Sequence, residues 1–162
     1  MTRTLRDEGG SLALLVILLL PTILIVLTGV LELGVVRVVA ERARIAADLA
    51  TLTAVNDQDD AELARSGALR PAADAEAVAR EHFALNLGPL GGSLAADPVS
   101  IAHDADVAVF ATAGAVDPVT GHVYASSTVR LAADVPVRTP AFAALLARPV
   151  TVVHVVSASS AR

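Results

Sequence analysis

One stretch of the sequence limits what this chain can fold into more than any other. Residues 9–31, GGSLALLVILLLPTILIVLTGVL, contain no charged side chain. A helix needs about 20 apolar residues to cross the roughly 30 Å hydrocarbon core of a bilayer, and this run meets that length. A secretory signal has a shorter apolar core and an early small-residue cleavage site, whereas the comparable VVA here ends only at Ala40. We therefore predict a transmembrane helix over residues 11–36.

The residues around this helix predict the domain organisation. Residues 1–10 are expected to be a short N-terminal leader, and residues 37–55 are rich in the helix formers alanine, arginine and leucine. Four large apolar residues of this second stretch recur at spacings of seven, four and three: Val38, Ile45, Leu49 and Leu52. The spacing predicts that the membrane helix continues as an amphipathic extension. Residues 56–162 would then form an extracytoplasmic domain.

Three residues are candidates for shaping and packing the long helix. Pro21 removes a backbone hydrogen bond and predicts a kink, and Gly34 is a flexible point. Glu32 is either a polar contact to a neighbouring helix or a carboxylate at the membrane surface. Residues 12–31 are already long enough to cross the bilayer core, which favours the surface. Replacing Glu32 by glutamine is then expected to affect assembly less than replacing Pro21 by alanine.

The remaining residues predict an α+β domain. Residues 70–89 indicate a second helix, with Pro71 in its first turn, an i,i+4 pair of Glu76 and Arg80, and Gly88-Pro89 at its end. Five residues are predicted to form its inward side: Ala75, Val78, Ala79, Phe83 and Leu85. The following GPLGGS is expected to be a flexible connection.

From Asp97 onward the composition changes to that of β-strands. The ranges 99–112, 122–138 and 149–161 predict strands, because valine and threonine alternate loosely along them. The VDPVTGH segment between the first two resembles a hairpin turn. Residues 139–147 predict a short helix with Thr139 as its N-cap and Pro140 at its first position. We expect the second helix to pack on a small antiparallel sheet of three or four strands.

The composition excludes several classes of function. A net charge of −5 and 2% aromatic residues argue against nucleic-acid binding. The chain has no cysteine, which excludes disulfides, a thiolate nucleophile and cysteine-ligated zinc. The acidic run 56–62 lacks the pattern of a calcium loop, and we interpret it as a solvated loop.

We also predict no catalytic site. His103, Asp104 and Asp106 are the one compact cluster with ligand chemistry, and a strand-end loop is the favoured interpretation, because a metal site needs further ordered ligands. The serines lack a nucleophile elbow and an evident base. We therefore predict no catalytic, cofactor-binding or metal-binding residue, no cofactor and no small-molecule substrate.

Two segments resemble a known family. The first segment consists of a glycine, an apolar run that contains a proline, the stretch LELG and the stretch RARIAADLATLTAV. It is similar to the N-terminal segment of TadE and TadG-like proteins of the Tad (Flp) pilus assembly system. The matching residues are Gly10, Pro21, Glu32, Gly34, Ala46, Ala47, Asp48 and Ala50. The C-terminal residues 129–161 also resemble these proteins, with a strand, a VP corner, a short apolar helix and a final strand.

The resemblance implies a single-pass protein of the cell membrane whose C-terminal domain lies outside the cytoplasm. Its implied role is that of a minor pilin-like structural or assembly component of a Tad/Flp pilus or related secretion machine. Its partners would be membrane lipid and other pilus or secretion proteins, including related TadE/TadG-like proteins. Relatives that resemble type IV pilins carry a glutamate five residues after the cleavage glycine, where this chain has Leu15, so it is closer to the TadG-like segment. Leader cleavage between Gly10 and Ser11 stays open.

Two other hypotheses remain. The chain can be a generic membrane-anchored envelope binding protein with no pilus role, in which the TadE-like segment is only an anchor. A membrane-tethered enzyme is the least supported of the three, because no residue pattern points to a reaction.

Overall fold

A computed structural model describes residues 8–161, with side chains from Ala13 onward. Its first element is one helix of 49 residues, α1 (Glu8–Asn56), which is about 70 Å long at 1.5 Å per residue. Within the described part of the chain, α1 is the one helix long and apolar enough to cross a membrane. All of residues 13–28 are exposed, so this half of α1 is not the core helix of a globular domain. It fits a single-pass membrane anchor.

The remaining elements form a domain around the second half of α1. In chain order they are α2 (Asp60–Ser66), α3 (Ala75–Leu87), a 3₁₀ segment (Gly88–Ser93), α4 (Pro98–His103), β1 (Asp106–Phe110), β2 (Thr128–Arg138), α5 (Pro140–Leu146) and β3 (Val150–Ser160). The three strands form an antiparallel sheet in the order β1-β2-β3. Val109 pairs with Val129, and Val135 pairs with Val153. The architecture confirms the predicted α+β class and the small antiparallel sheet.

The core lies between the sheet, α3 and α1. Strand β2 presents alternate residues to it, because successive side chains of a strand point to opposite faces. The buried residues of β2 and α3 in the core include Val129, Leu131, Val135, Val137, Phe83 and Leu87. The face that α1 contributes consists largely of alanines: Ala43, Ala46, Ala47, Ala50 and Ala54. These small side chains let the helix backbone lie close to the domain.

Strand β3 runs beside α1 in the same direction. Its beginning follows α5, which contacts α1 at Glu32, and its end reaches Thr51 through Ser157 and Ser159. The connection between β2 and β3 therefore lies at the membrane-proximal end of the domain. The Asn56 end of α1 and the neighbouring α2 lie at the opposite end.

Two predictions about the second helix are corrected. Pro71 is not in its first turn, because α3 begins at Ala75, and Pro71 instead bridges to Gln58. Leu85 is exposed and not on the inward side, since it points away from the face that carries Phe83 and Leu87. The predicted pair is present, with Arg80 Nη2 2.7 Å from Glu76 Oε1.

Several predicted loops and strands differ from the structure. The GPLGGS segment is a 3₁₀ helix with buried Leu90, because that leucine anchors it to the core. Residues 98–103 are helical and not a strand, since Asp97 accepts a hydrogen bond from the Val99 amide and Pro98 suits the first turn. The second predicted strand, 122–138, is shorter in the structure, because β2 begins only at Thr128. The acidic run ends in α2, whose first turn is capped by the Asp59 carboxylate.

Candidate functional site

The two residues of the leader junction lie at the start of α1. Gly10 and Ser11 are helical. Residues 1–7 of the predicted leader lie outside the described residues. Cleavage between Gly10 and Ser11 therefore stays a prediction.

Pro21 lies inside the exposed half of α1, and the helix continues through it. Its side chain is exposed and is not part of the core. A proline has no amide hydrogen, so the carbonyl one turn earlier lacks its usual helical donor. The position can affect the path of the apolar half of α1 without a contact to the domain.

Glu32 is the one carboxylate at the boundary between the apolar run and the domain, and it is buried with 7% of its surface exposed. Its Oε1 accepts a hydrogen bond from the Ala141 amide at 2.9 Å, and its Oε2 accepts one from the Phe142 amide at 2.6 Å. Both amides belong to the first turn of α5, where backbone N–H groups lack helical acceptors and the helix dipole is positive. Glu32 thus caps α5 of its own chain, and it is not an exposed surface charge.

Thr139 does not have the capping role that the sequence predicts. Its side chain makes no cap hydrogen bond, and its hydroxyl instead donates to the Arg148 carbonyl at 2.9 Å. The Thr139 amide also donates to the Pro149 carbonyl, which closes the base of the β2–β3 connection. Sequence reasoning missed the true cap because Glu32 lies 109 positions before Ala141, and no local pattern links them.

Gly34 faces open space. A Cβ atom at this position would meet no other atom within 4 Å. It lies in a shallow apolar groove between α1 and the 3₁₀ segment, together with Leu31, Val35 and Pro89. No contact within the described chain requires a glycine here, so any packing role needs another molecule.

The apolar residues whose spacing predicts the α1 extension do not face the core, although Val39 and Val55 of the same stretch do. Together with Leu31 and Val35 they form an exposed row, which we call the outer stripe: Leu31, Val35, Val38, Ile45, Leu49 and Leu52, each about half exposed. Arg42 occupies the one polar position in the row. When Arg42 is included, successive members of the row lie alternately four and three positions apart in the sequence. This is the spacing of a helix-packing seam. The amphipathic pattern is present, but alanines take the core-facing side.

The opposite side of the exposed α1 surface is charged. Arg37, Glu41, Arg44 and Asp48 are exposed and alternate in sign along the helix. Spacings of three and four place them on one face, a pattern typical of a solvated surface. The helix therefore has an alanine face towards its own domain, a charged face, and an unpartnered apolar stripe.

A hydroxyl cluster ties the far end of α1 to β3. The Thr51 hydroxyl lies 3.1 Å from the Ser157 hydroxyl and 2.9 Å from the Ser159 hydroxyl. Thr51 and Ser157 are buried, so the hydrogen bond between them forms away from water, whereas Ser159 is half-buried. Ser157 and Ser159 thus contribute to the packing of the helix against the sheet.

A buried ion pair fixes the β1–β2 connection. Arg130 Nη2 donates to Asp106 Oδ2 at 2.8 Å, and Arg130 Nε lies 3.1 Å from Asp117 Oδ2, without the alignment of a hydrogen bond. Asp117 accepts hydrogen bonds from the Val119 amide and the Thr120 hydroxyl. Burial by itself raises the pKa of Asp117, but these hydrogen bonds and the Arg130 charge outweigh it, so the net pKa lies below the usual value. The group holds the turn between β1 and β2.

The structure separates the His103 cluster. His103 Nδ1 lies 3.2 Å from Asp104 Oδ1 at the exposed end of α4, whereas Asp106 pairs with Arg130 on the sheet. Among the residues described, no group of three or more histidine, aspartate or glutamate side chains is placed to hold a metal ion. The candidate functional surface is therefore α1 itself, with its outer stripe and its junction with α5.

Comparison with known proteins identifies the same helix. Residues 10–58 match a family model described as putative Flp pilus-assembly TadE/G-like. The match covers α1 from its first turns to just beyond Asn56, so it confirms the TadE/TadG-like resemblance of this helix. It does not distinguish a TadG-like from a TadE-like subtype. Neither the curated proteins nor the solved structures gave a match.

Proposed function

We propose that this chain, whose long helix is TadE/G-like, is a membrane-anchored structural component of a Tad/Flp-type pilus or a related secretion machine. Its role there is minor pilin-like: it presents a small α+β domain and a helix surface to neighbouring subunits. The observation that carries the proposal is the TadE/G-like match to α1 together with the outer stripe on that helix. The chain is not proposed to catalyse a reaction.

The anchor is supported by the division of α1 into two halves. The first half is apolar on every side and exposed at all positions from Ala13 to Thr28, which is favourable only in lipid or against other apolar helices. The second half is anchored in the core by its alanine face. The proposed organisation is a leader in residues 1–10, a membrane span in 11–36, an extension in 37–55 and a domain in 56–162.

We place the domain outside the cytoplasm. The arginines near the two ends of the span give no clear direction by the positive-inside rule. The resemblance to TadE/TadG-like proteins supplies the orientation. Protease added to spheroplasts should remove the domain, and protection of the domain until lysis would reverse the topology.

The outer stripe supplies a contact surface for partners in the same membrane. Proteins anchored with the same orientation present parallel helices, and the three-and-four spacing of the stripe suits packing between parallel helices. A partner must also accommodate Arg42 within the seam, which favours a partner with an acidic residue at that level. We propose other pilus or secretion proteins, including TadE/TadG-like ones, as these partners.

Genetic complementation with stripe variants tests the function. Loss of the chain should abolish pili or secretion, and the wild-type chain should restore them. A Leu49→Gln variant, which places an amide in the stripe, should fail to restore them at normal protein levels. Leu63→Gln is the matched control, because Leu63 is also an exposed leucine but lies on α2, outside the stripe.

Three results would contradict parts of the proposal. Pili and secretion that persist without the chain would reject the pilus role. Full restoration by Leu49→Gln would reject the stripe as the contact surface. Recovery of most of the protein in a soluble fraction after carbonate extraction would reject the anchor.

A further inference from the structure

We propose that α5, with the arginine on each side of it, is an interfacial segment that lies in the surface of the membrane leaflet facing the domain. We call residues 138–148 the α5 segment. The inference rests on the membrane anchor of the proposed function but not on the pilus role. It adds a second membrane contact to the one made by α1.

The first argument concerns depth. The uncharged run of α1 ends at Leu31. Because a helix crosses the hydrocarbon core in about 20 residues, the next residue, Glu32, lies where α1 leaves this core. The Glu32 carboxylate holds the amides of Ala141 and Phe142 at 2.9 and 2.6 Å. These two hydrogen bonds fix the beginning of α5 at the level of the membrane surface. They also satisfy a carboxylate that the protein buries, which would be costly without hydrogen bonds.

The second argument concerns composition. The sequence of α5, PAFAALL, has no polar or charged side chain, yet none of its residues is buried by the protein. Leu145 is 42% exposed and Leu146 is 65% exposed. A helix that is apolar on every side is stable when something apolar covers it. At this position in the fold, the hydrocarbon boundary of the bilayer is the apolar medium within reach.

The third argument concerns the flanking charges. Arg138 precedes α5 and Arg148 follows it, and both side chains are exposed. Long arginine side chains beside an apolar segment can keep their guanidinium groups among lipid phosphates while their aliphatic parts lie along the acyl region. Attraction of these cations to anionic lipid would add to the apolar insertion. The lipid surface is therefore the proposed partner, in preference to a protein.

A second contact would set the orientation of the domain. A single helix leaves a domain free to rotate about the helix axis and to tilt. Because α5 joins β2 to β3, its insertion would hold the sheet at a defined angle to the membrane. The outer stripe would then point in one direction along the membrane plane, towards neighbouring anchored proteins.

Depth-dependent fluorescence quenching tests the inference on the full chain. The sequence has no cysteine, so single cysteines can be introduced and labelled without background. We would label Leu146→Cys with an environment-sensitive dye and reconstitute the protein in phosphatidylcholine–phosphatidylglycerol vesicles that carry quenchers at the upper acyl chain. Leu63→Cys on α2 reports the membrane-distal end, and Leu24→Cys reports the span.

The three labels separate the possible outcomes. We expect strong quenching at positions 24 and 146, and several-fold weaker quenching at position 63. Quenching at 24 but only background quenching at 146 would overturn the interfacial segment and leave the anchor intact. Absence of quenching at 24 would reject the anchor itself, and the inference with it. Equal quenching at 63 and 146 would also overturn it, because a specific surface contact would then be absent.

Discussion

The Glu32 carboxylate accepts a 2.6 Å hydrogen bond from the backbone amide of Phe142, a residue 110 positions further along the chain. This contact joins the end of the apolar run to the connection between β2 and β3. Because both strands of the connection belong to the core sheet, the direction of the domain is coupled to the direction of the anchor. A rigid coupling of this kind suits a subunit that must present one side to its neighbours.

Replacing Glu32 by glutamine should release α5 from α1. Glutamine keeps one acceptor oxygen, but its amide group meets the second backbone N–H with another donor, and the charge that favours the helix dipole is lost. Since hydrogen bonds to charged groups contribute about 1.5–3 kcal/mol each, we expect a loss of stability of about 1–3 kcal/mol. Thermal unfolding of the full chain in detergent micelles measures it.

Glu41→Gln is the matched control for this change, because Glu41 is an exposed glutamate on the charged face of the same helix. It should leave the unfolding midpoint nearly unchanged. Trypsin cleavage after Arg138 should accelerate in Glu32→Gln and not in Glu41→Gln. Equal stability of the two variants would contradict the capping role and return Glu32 to the surface charge that the sequence favours.

Pro21→Ala should affect assembly without affecting the stability of the domain. Pro21 lies in the exposed half of α1, away from the core, so its replacement should leave the domain unfolding midpoint unchanged. Restoring a backbone hydrogen bond should alter the path of the helix and lower the yield of co-purified partners. A normal yield of partners with Pro21→Ala would show that the helix path set by Pro21 is not needed for assembly.

Thr51→Val should weaken the attachment of α1 to β3. Valine has nearly the same shape as threonine, but it removes the hydroxyl shared by Ser157 and Ser159. We expect a loss of about 1–2 kcal/mol, because the buried Ser157 hydroxyl is left with fewer partners. Thr53→Val tests the same chemical change at a position whose hydroxyl bonds only to the Leu49 carbonyl of its own helix. Similar unfolding midpoints for the two variants would argue against the cluster.

The stability of the domain should depend on pH because of Asp117, and it should fall in acid. Its pKa is lower in the folded chain than its usual value of 3.8, so the folded state favours the ionised carboxylate. The resulting stabilisation is complete above the usual pKa and is lost as the pH falls through the lower, folded-state value. Thermal unfolding from neutral pH to below 3.8 measures this loss.

Asp117→Asn should make the same unfolding curve less sensitive to acid. Some sensitivity should remain, because the pKa of Glu62 is also lowered, first by its hydrogen bond with Ser66. Asp74→Asn is the control, since Asp74 makes no side-chain cap hydrogen bond to α3. An acid dependence of Asp117→Asn identical to that of the wild type would exclude Asp117 as a source of the effect.

The apolar run, the α+β class and most of the element positions follow from the sequence because they depend on local physics. The uncharged run is long enough for a helix to cross the hydrocarbon core of a bilayer, so its length predicts a membrane span. Residue spacing predicts the helical extension to Val55, one residue before the observed end at Asn56. The i,i+4 pair of Glu76 and Arg80 is likewise local to one helix.

The tertiary structure alone decided which face of α1 is covered and what Glu32 does. Spacing identifies an apolar row with Ile45 and Leu49, but it cannot tell that the domain packs on the alanines and leaves this row exposed. That choice depends on how closely the sheet approaches the helix. The cap of α5 by Glu32 joins residues more than a hundred positions apart. Such a contact follows from chain topology, because folding brings the β2–β3 connection to the membrane end of α1, and no local pattern encodes it.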